Sequence, residues 1–396
     1  MKKVLFMLSS MNIGGVEKSL LSLLSAMPQD KYDITLLLLE KKGGFMKLVP
    51  DWVKVEEASW FEQVKPIIMQ PPQQTIKDYI KRKEFFKVPT FIYSYILSEK
   101  LFKNRYIFYK NVFKTVPDHD EDYDIAISYQ GPTDIIDYYI ANKVNAKQKV
   151  SWVHFDVSKH MINEKLYERL YRKFDKLFVV SKEAREKLVQ KIPSVEEKAT
   201  VLLNIISGSL ISDMSKKDID FDENYKGLRL ITIGRLSKEK GQDLAIEVLA
   251  KLRKDGYEVR WYCIGEGKQR IEYEQLIGDY GLENEFILMG SKSNPYPFIL
   301  KSDIYVQTSR HEGYCITLAE AKSLNKPIVT TDFTGAREQI VNDYNGLIVG
   351  HSVEDLYEKI SLLIEEKPAR ERLSSNLSKD NIDTTKEITK LLEYIG

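Results

Sequence analysis

Short apolar runs alternate with amphipathic stretches along this chain, and that alternation predicts its fold. Residues 4–8 are a short apolar run of the kind that strands buried on both faces of a parallel sheet require, 33–39 read as the next buried strand, and 53–55 as a short third. Between the first two, Leu20, Leu21, Leu23 and Leu24 supply one apolar face before Pro28, which predicts a helix. Runs resume at 124–129, 149–153, 177–180 and 200–203. Helical patterns fall between them at 163–174 and at 183–191, the second behind Ser181, a residue type that caps helix N-termini. A second series follows at 228–233, 259–264, 286–289, 304–306, 327–331 and 347–349. Each series opens with an apolar strand, a glycine-bearing turn and an amphipathic helix. The expected class is α/β, with two Rossmann-like doubly wound domains facing a cleft, at 1–205 and 206–380. The Ser-, Asp- and Lys-rich stretch 207–227 is expected to link them, and residues 382–395 pattern as a final helix.

Residues 60–117 break the rhythm. Past Pro66 and Pro71-Pro72, aromatics interleave with lysines and arginines, and from 85 to 114 Glu99 is the sole acid. Amphipathic aromatic and basic side chains suit a lipid headgroup layer. They suit equally a set of inserted helices that pack their aromatics into the first domain.

Composition narrows the partners. Fifty-nine basic residues against 58 acidic leave a net charge of +1, which removes the global electrostatic case for nucleic acid. Two cysteines, Cys263 and Cys315, exclude a disulfide framework and a cysteine-ligated metal site. The apolar run behind Met1-Lys2-Lys3 is too short for a signal peptide, and no run of about 18 apolar residues occurs. The expected location is the cytoplasm, with at most peripheral contact at the inner face of the cell membrane.

The richest segment is Ser309-Arg310-His311-Glu312-Gly313-Tyr314-Cys315-Ile316-Thr317-Leu318-Ala319-Glu320. It sets Glu312 in a polar loop and Glu320 on the second turn of a helix expected from Ile316 to Leu324, roughly 12 Å apart at helical pitch. Between them lie the free N–H groups and positive dipole end of the helix, which favour an anion. A sugar nucleotide has this outline: hydroxyls, a diphosphate, hydroxyls. Arg235 and Lys240 flank a strand-to-helix turn, and a fork of donors with a point charge suits a diphosphate. Gly14-Gly15 occupies another such turn, where a backbone can come close to a phosphate or an acceptor group; it lacks G-x-G-x-x-G spacing and is no P-loop. His154 follows an apolar strand and points to the same end of the sheet. His160 gives no recognised metal spacing, and Asp118-His119-Asp120-Glu121-Asp122 reads as a solvated acidic loop.

Taken in order, Gly14-Gly15-Val16-Glu17, His154, Asn204, Gly234-Arg235-Leu236-Ser237-Lys238-Glu239-Lys240-Gly241, Ser309, Glu312-Gly313 with Glu320, Gly335-Ala336-Arg337-Glu338 and Asn345-Gly346 resemble the retaining family-four glycosyltransferases of GT-B fold. The resemblance spans nearly the whole chain and is weakest from 60 to 120. It implies a metal-independent hexosyl- or N-acetylhexosaminyltransferase without a cofactor, acting on a nucleotide-sugar donor, a UDP-sugar being favoured. The acceptor would be a glycan or a polyprenyl-diphosphate-linked sugar in cell-surface polysaccharide synthesis. Arg235 and Lys240 would hold the diphosphate, Glu320 the ribose, and Glu312 the donor sugar. His154 would lie beside that sugar. Ser291, in the turn after the third strand of the second series, would lie near the base. Gly14, Gly15, Gly313, Tyr314, Cys315 and Ile316 would complete the donor site, and residues 381–396 would cross back onto the first domain. A non-catalytic subunit of the same fold and a sugar-nucleotide epimerase are the alternatives. One departure concerns Cys315: the family commonly reads Glu-Gly-Phe-Gly, and a side chain here is expected to narrow the space near phosphate and sugar.

Overall fold

A computed structural model describes residues 1–158, 162–222, 224–380 and 384–396, so His160 and the expected helix start at Ile382 lie outside the described residues. The first half runs β1 (Lys2–Leu8), α1 (Gly15–Ala26), β2 (Tyr32–Leu38) and β3 (Lys54–Glu57). Four inserted helices follow, α2 (Phe61–Met69), α3 (Pro72–Lys81), α4 (Lys87–Tyr95) and α5 (Arg105–Val112), with a π-helical turn at Ile96–Leu101. The sheet then resumes with β4 (Asp122–Gly131), α6 (Asp134–Lys143), β5 (Asn145–Val153), α7 (Glu164–Tyr171), β6 (Lys176–Val179), α8 (Lys182–Lys191) and β7 (Ala199–Val201). After α9 (Gly208–Ser215) come β8 (Leu228–Ile233), α10 (Gln242–Lys254), β9 (Val259–Ile264), α11 (Arg270–Asp279) and β10 (Phe286–Leu288). The second half continues through α12 (Tyr296–Lys301), β11 (Ile304–Gln307), α13 (Ile316–Ser323), β12 (Ile328–Thr331), α14 (Ala336–Gln339) and β13 (Leu347–Val349). Helices α15 (Val353–Glu365), α16 (Lys367–Leu377) and α17 (Glu387–Ile395) close it.

Every apolar run became a strand, and the strands form two sheets, β3-β2-β1-β4-β5-β6-β7 and β10-β9-β8-β11-β12-β13. All described strand pairs are parallel, such as Val4 with Ile125 and Leu230 with Ile304. β5 begins four residues before its apolar run because its first half is polar and largely solvated, with only residues 150–153 fully buried. In each sheet the strand order reverses beside the opening strand, between β1 and β4 and between β8 and β11. Open α/β sheets bind ligands at the carboxyl ends of the strands at that reversal. This architecture is GT-B.

One correction concerns the boundary between the domains. The stretch 207–227 is more than a linker: it carries α9, Ile211 and Phe221 are buried in the second domain's core, and Ser207 caps the helix. The insert divides its aromatics by face. Phe91, Phe108, Tyr109 and Phe113 join the first domain's core, whereas Phe85, Phe86, Tyr93 and Phe102 stay exposed. Leu391 and Ile395 of α17 are buried with Val4, Phe6 and Trp152, so the last helix rests on the first sheet. Among the described residues, no helix is long and apolar enough to cross a membrane.

Candidate active site

The loops after β8 and β11 are stitched into one unit. Gly241 has φ +67°, and a Cβ there would sit 2.2 Å from the Thr308 carbonyl oxygen, so the turn needs glycine twice over. Arg310 grips Asp243 with two nitrogens at 2.8 and 2.7 Å, and its backbone N–H donates to Glu239 O at 2.7 Å. A polar chain then runs out along β11: Tyr305 OH donates to Gln307 Oε1 (2.6 Å), Gln307 Nε2 to Ser309 Oγ (2.7 Å), and Ser309 Oγ to Glu312 Oε1 (2.9 Å). Lys240 Nζ closes on the same Glu312 oxygen. Burial works against the Lys240 ammonium, and Glu312 beside it outweighs burial and holds its pKa above the ordinary lysine value. Arg235 by contrast is exposed; its backbone carbonyl accepts from Gln242 Nε2 at 2.9 Å, and its guanidinium makes no hydrogen bond or ion pair among the described residues. One cation is thus held by a carboxylate and the other is open to a ligand.

Glu320 lies where the helical spacing placed it, on α13, and is 2 % exposed. Its Oε1 accepts from Tyr296 OH at 3.1 Å and from Lys18 Nζ at 2.5 Å, while Oε2 is buried without a partner. The Cys315 side chain is 3 % exposed and packs in the second domain's core, with Sγ 3.3 Å from Thr317 Oγ1 and near the Glu312 and Lys240 charges. Tyr314 packs against the cores of both domains. Ser291 is exposed beyond β10 and has no side-chain hydrogen bond to these residues among those described.

The first domain meets this unit with α1 and the end of β5. A Cβ on Gly15 would lie 3.6 Å from Ile316 Cδ1, so the two glycine turns face one another. Glu17 folds back over Gly14, where a Cβ would meet its Oε2 at 2.4 Å. Burial pushes its carboxyl up to about 6, against its own backbone N–H and the Arg235 charge. Ser19 fixes the register of α1, with Oγ 2.6 Å from Asn204 Oδ1 and 2.8 Å from Tyr129 OH. Gly313 lies against His154: a Cβ would come within 2.1 Å of the His154 carbonyl oxygen.

His154 is the clearest polar vacancy on the first-domain side. Its ring bonds the Tyr129 backbone and lies parallel to Trp152, leaving Nε2 buried with no partner. Burial lowers its pKa from 6.5 to about 3, so the ring is neutral at physiological pH and its free nitrogen accepts a hydrogen bond. The unfolded chain takes up a proton near 6.5 that the folded one refuses, so this group withdraws stability as pH falls from 6.5 towards 3. His154→Gln should therefore lose less melting temperature between pH 7 and pH 4 than the wild type; an equal loss would contradict a buried neutral imidazole.

Sequence reasoning missed the residues that join the domains. Lys182 and Glu183 N–H donate to Glu338 at 3.0 and 2.8 Å, and Gly335 N–H donates to Glu183 Oε2 at 2.8 Å, so a carboxylate from each domain caps a helix of the other. Ser181 Oγ, besides capping α8, donates to Gly313 O at 3.1 Å. Asp156 accepts from Thr334 Oγ1 (2.6 Å) and Lys187 Nζ (3.1 Å). Burial alone would raise its pKa, but Ser158, Thr334 and Lys187 outweigh it and hold the carboxyl at about 2. Lys18 and Tyr296 were also missed. A signal for Lys18 existed, since it directly follows Gly14-Gly15-Val16-Glu17; Tyr296 carried none.

Known proteins resemble this chain in sequence and in fold. Residues 213–380 match the family described as glycosyl transferases group 1. A Campylobacter jejuni N-acetylgalactosamine-N,N'-diacetylbacillosaminyl-diphospho-undecaprenol 4-alpha-N-acetylgalactosaminyltransferase is 29% identical over 212 residues, 53% of this chain and 56% of that protein. The capsular polysaccharide biosynthesis glycosyltransferase CapM of Staphylococcus aureus is 26% identical over 212 residues, 50% and 55% of the two chains. The chain spans about half the length of the curated relatives it matches. Among solved structures, Anabaena Alr3699/HepE in complex with UDP-glucose superposes with a TM-score of 0.72 at 19% identity, covering 100% of this chain and 99% of that one.

Proposed function

We infer, from a chain whose residues 213–380 match the group 1 glycosyl transferases, that this protein moves a sugar from a nucleotide-sugar donor to a glycan or lipid-linked acceptor, with retention at the anomeric carbon. The observation that carries the reading is the set of open polar groups on the facing domains: the Arg235 guanidinium, Glu320 Oε2 and His154 Nε2. They match a diphosphate, hydroxyl donors on a ribose, and a hydroxyl donor on a sugar. Arg235 and Lys240 receive the charge that develops on the departing diphosphate. Glu312, aimed by Ser309 and Lys240, takes donor-sugar hydroxyls, and neutral His154 accepts another. No side chain serves as covalent nucleophile; acceptor oxygen and leaving diphosphate share one face, and the leaving phosphate oxygen takes the acceptor proton. UDP is the favoured nucleotide, because structures of similar fold carry it. A panel of UDP- and GDP-sugars read by mass spectrometry should show one donor releasing free nucleoside diphosphate without epimerised sugar. Release of none from the whole panel would contradict transfer.

The outer surface of the insert fits a cytoplasmic, anionic membrane face that would present a lipid-linked acceptor. Phe86 (74 % exposed), Tyr93 (67 %) and Leu101 (65 %) project from α4 and its ends with Ile92 and Ile96, among exposed Lys81, Arg82, Lys83 and Lys100. Aromatic and aliphatic side chains enter the headgroup boundary while lysines and arginines meet anionic lipid. Vesicles containing phosphatidylglycerol should carry the wild type upward in flotation, and Phe86→Ser/Tyr93→Ser should stay behind. Equal flotation of the two would remove this surface.

A further inference from the structure

Among the described residues, Lys18 is the one residue of the first domain bonded to the Glu320 carboxylate. Its Nζ lies 2.5 Å from Glu320 Oε1 and 4.3 Å from the centre of the Tyr296 ring, with the lysine side chain 19 % exposed. The position is not loose. Ser19, the next residue, is tied to Asn204 and Tyr129, and Gly15, one turn earlier, faces Ile316 at the start of the Glu320 helix.

A carboxylate offers about four acceptor directions, two on each oxygen. On Glu320 both directions of Oε1 are taken, by the Lys18 ammonium and the Tyr296 hydroxyl. Oε2 is buried and has neither of its two. A buried acceptor left without a donor costs free energy that an incoming pair of hydroxyls would return. The carboxylate is therefore half-saturated by protein groups, and the unsatisfied half is a fixed oxygen whose two open directions match the two adjacent hydroxyls of a ribose.

We propose that Lys18 is a positioning residue for the nucleoside: with Tyr296 it pins Glu320 Oε1, so that Oε2 is held ready for both ribose hydroxyls of the donor. Resting on the donor-site reading above, the inference extends it by assigning part of nucleoside recognition to the first domain. Glu320 and Tyr296 belong to the second domain and Lys18 to the first, so the carboxylate has its full support only when the domains are together. Ribose affinity and domain closure are then linked.

Calorimetric titration with UDP and with its 2′,3′-dideoxy analogue tests this on the wild type, Lys18→Met, Lys18→Arg, Glu320→Gln and the Lys18→Met/Glu320→Gln double variant. Lys18→Met should weaken UDP on the order of tenfold, the scale of one charge-assisted hydrogen bond. It should leave the dideoxy analogue, which lacks the hydroxyls, unchanged. Lys18→Arg, which keeps a donor and a charge, should recover most of the UDP affinity. In the Glu320→Gln background the lysine substitution should add nothing, because its target is gone. Equal weakening of UDP and the dideoxy analogue would make Lys18 a general attractor of anions and overturn the proposal. Tighter UDP binding by Lys18→Met would make it an occupant that the nucleotide must displace, and would overturn it too. Wild-type protein that binds no UDP would remove the donor-site reading itself; wild-type binding with Lys18→Met unchanged would remove this inference alone.

Discussion

Gly313→Ala should abolish most of the sugar transfer while leaving both domains folded. The added methyl would come within 2.1 Å of the His154 carbonyl oxygen and 2.9 Å of its carbon. Both are main-chain atoms of the opposite domain, so no flexible side-chain tip can yield. The loop holding Glu312 and the strand end holding His154 must separate by about 1 Å, and a displacement of that size at reacting groups costs on the order of 100-fold in rate. Far-UV circular dichroism should not change, since both sheets lie outside the contact. Activity within threefold of the wild type would show that donor chemistry does not depend on this approach.

Lys240→Met is the second large expected loss, and it separates stability from chemistry. The Lys240 and Glu312 side chains are 25 % and 11 % exposed, so removing the cation strands a mostly buried carboxylate. Breaking such a pair costs about 3 kcal/mol, the lower end of the range for buried pairs, because the lysine keeps some water. The loss of a donor aimed at charge in the transition state costs a further 100- to 1,000-fold, roughly, in turnover. Lys240→Met/Glu312→Gln removes the stranded charge, so thermal stability should return towards the wild-type value while turnover stays low. Recovery of both together would make the pair a structural tie only.

How much of this was legible beforehand follows from where each interaction lives in the chain. The strands were legible because the stretches of a parallel strand covered on both faces are mostly apolar, as the buried parts of β1, β8 and β9 are, and their polar extensions, such as the start of β5, were not. The turns were legible because Gly241 and Gly313 each sit where a main chain of another segment comes within reach of a Cβ. The insert was half legible: Phe91 and Tyr93 are alike in sequence, and only the helix register decides that one is buried and the other exposed. The surroundings of Cys315 were hidden for the same reason, since its place in the sequence did not reveal that Sγ turns to Thr317. What escaped was the pairing of distant residues. Lys18 with Glu320, Glu183 with Gly335 and Glu338 with the start of α8 depend on how two domains meet, and no local period records that.

The central claim is that the cleft holds a nucleoside diphosphate with Arg235 as its open cation. Because the Arg235 guanidinium is exposed and makes no hydrogen bond or ion pair among the described residues, its truncation leaves the fold intact and isolates the ligand contact. The decisive measurement is calorimetric titration of UDP and of uridine into wild-type protein and Arg235→Ala. A charge-assisted contact of about 1.5–3 kcal/mol predicts UDP affinity at least tenfold weaker in the variant, with uridine unchanged. UDP binding of equal strength in both proteins, or no UDP binding by the wild type, would contradict it.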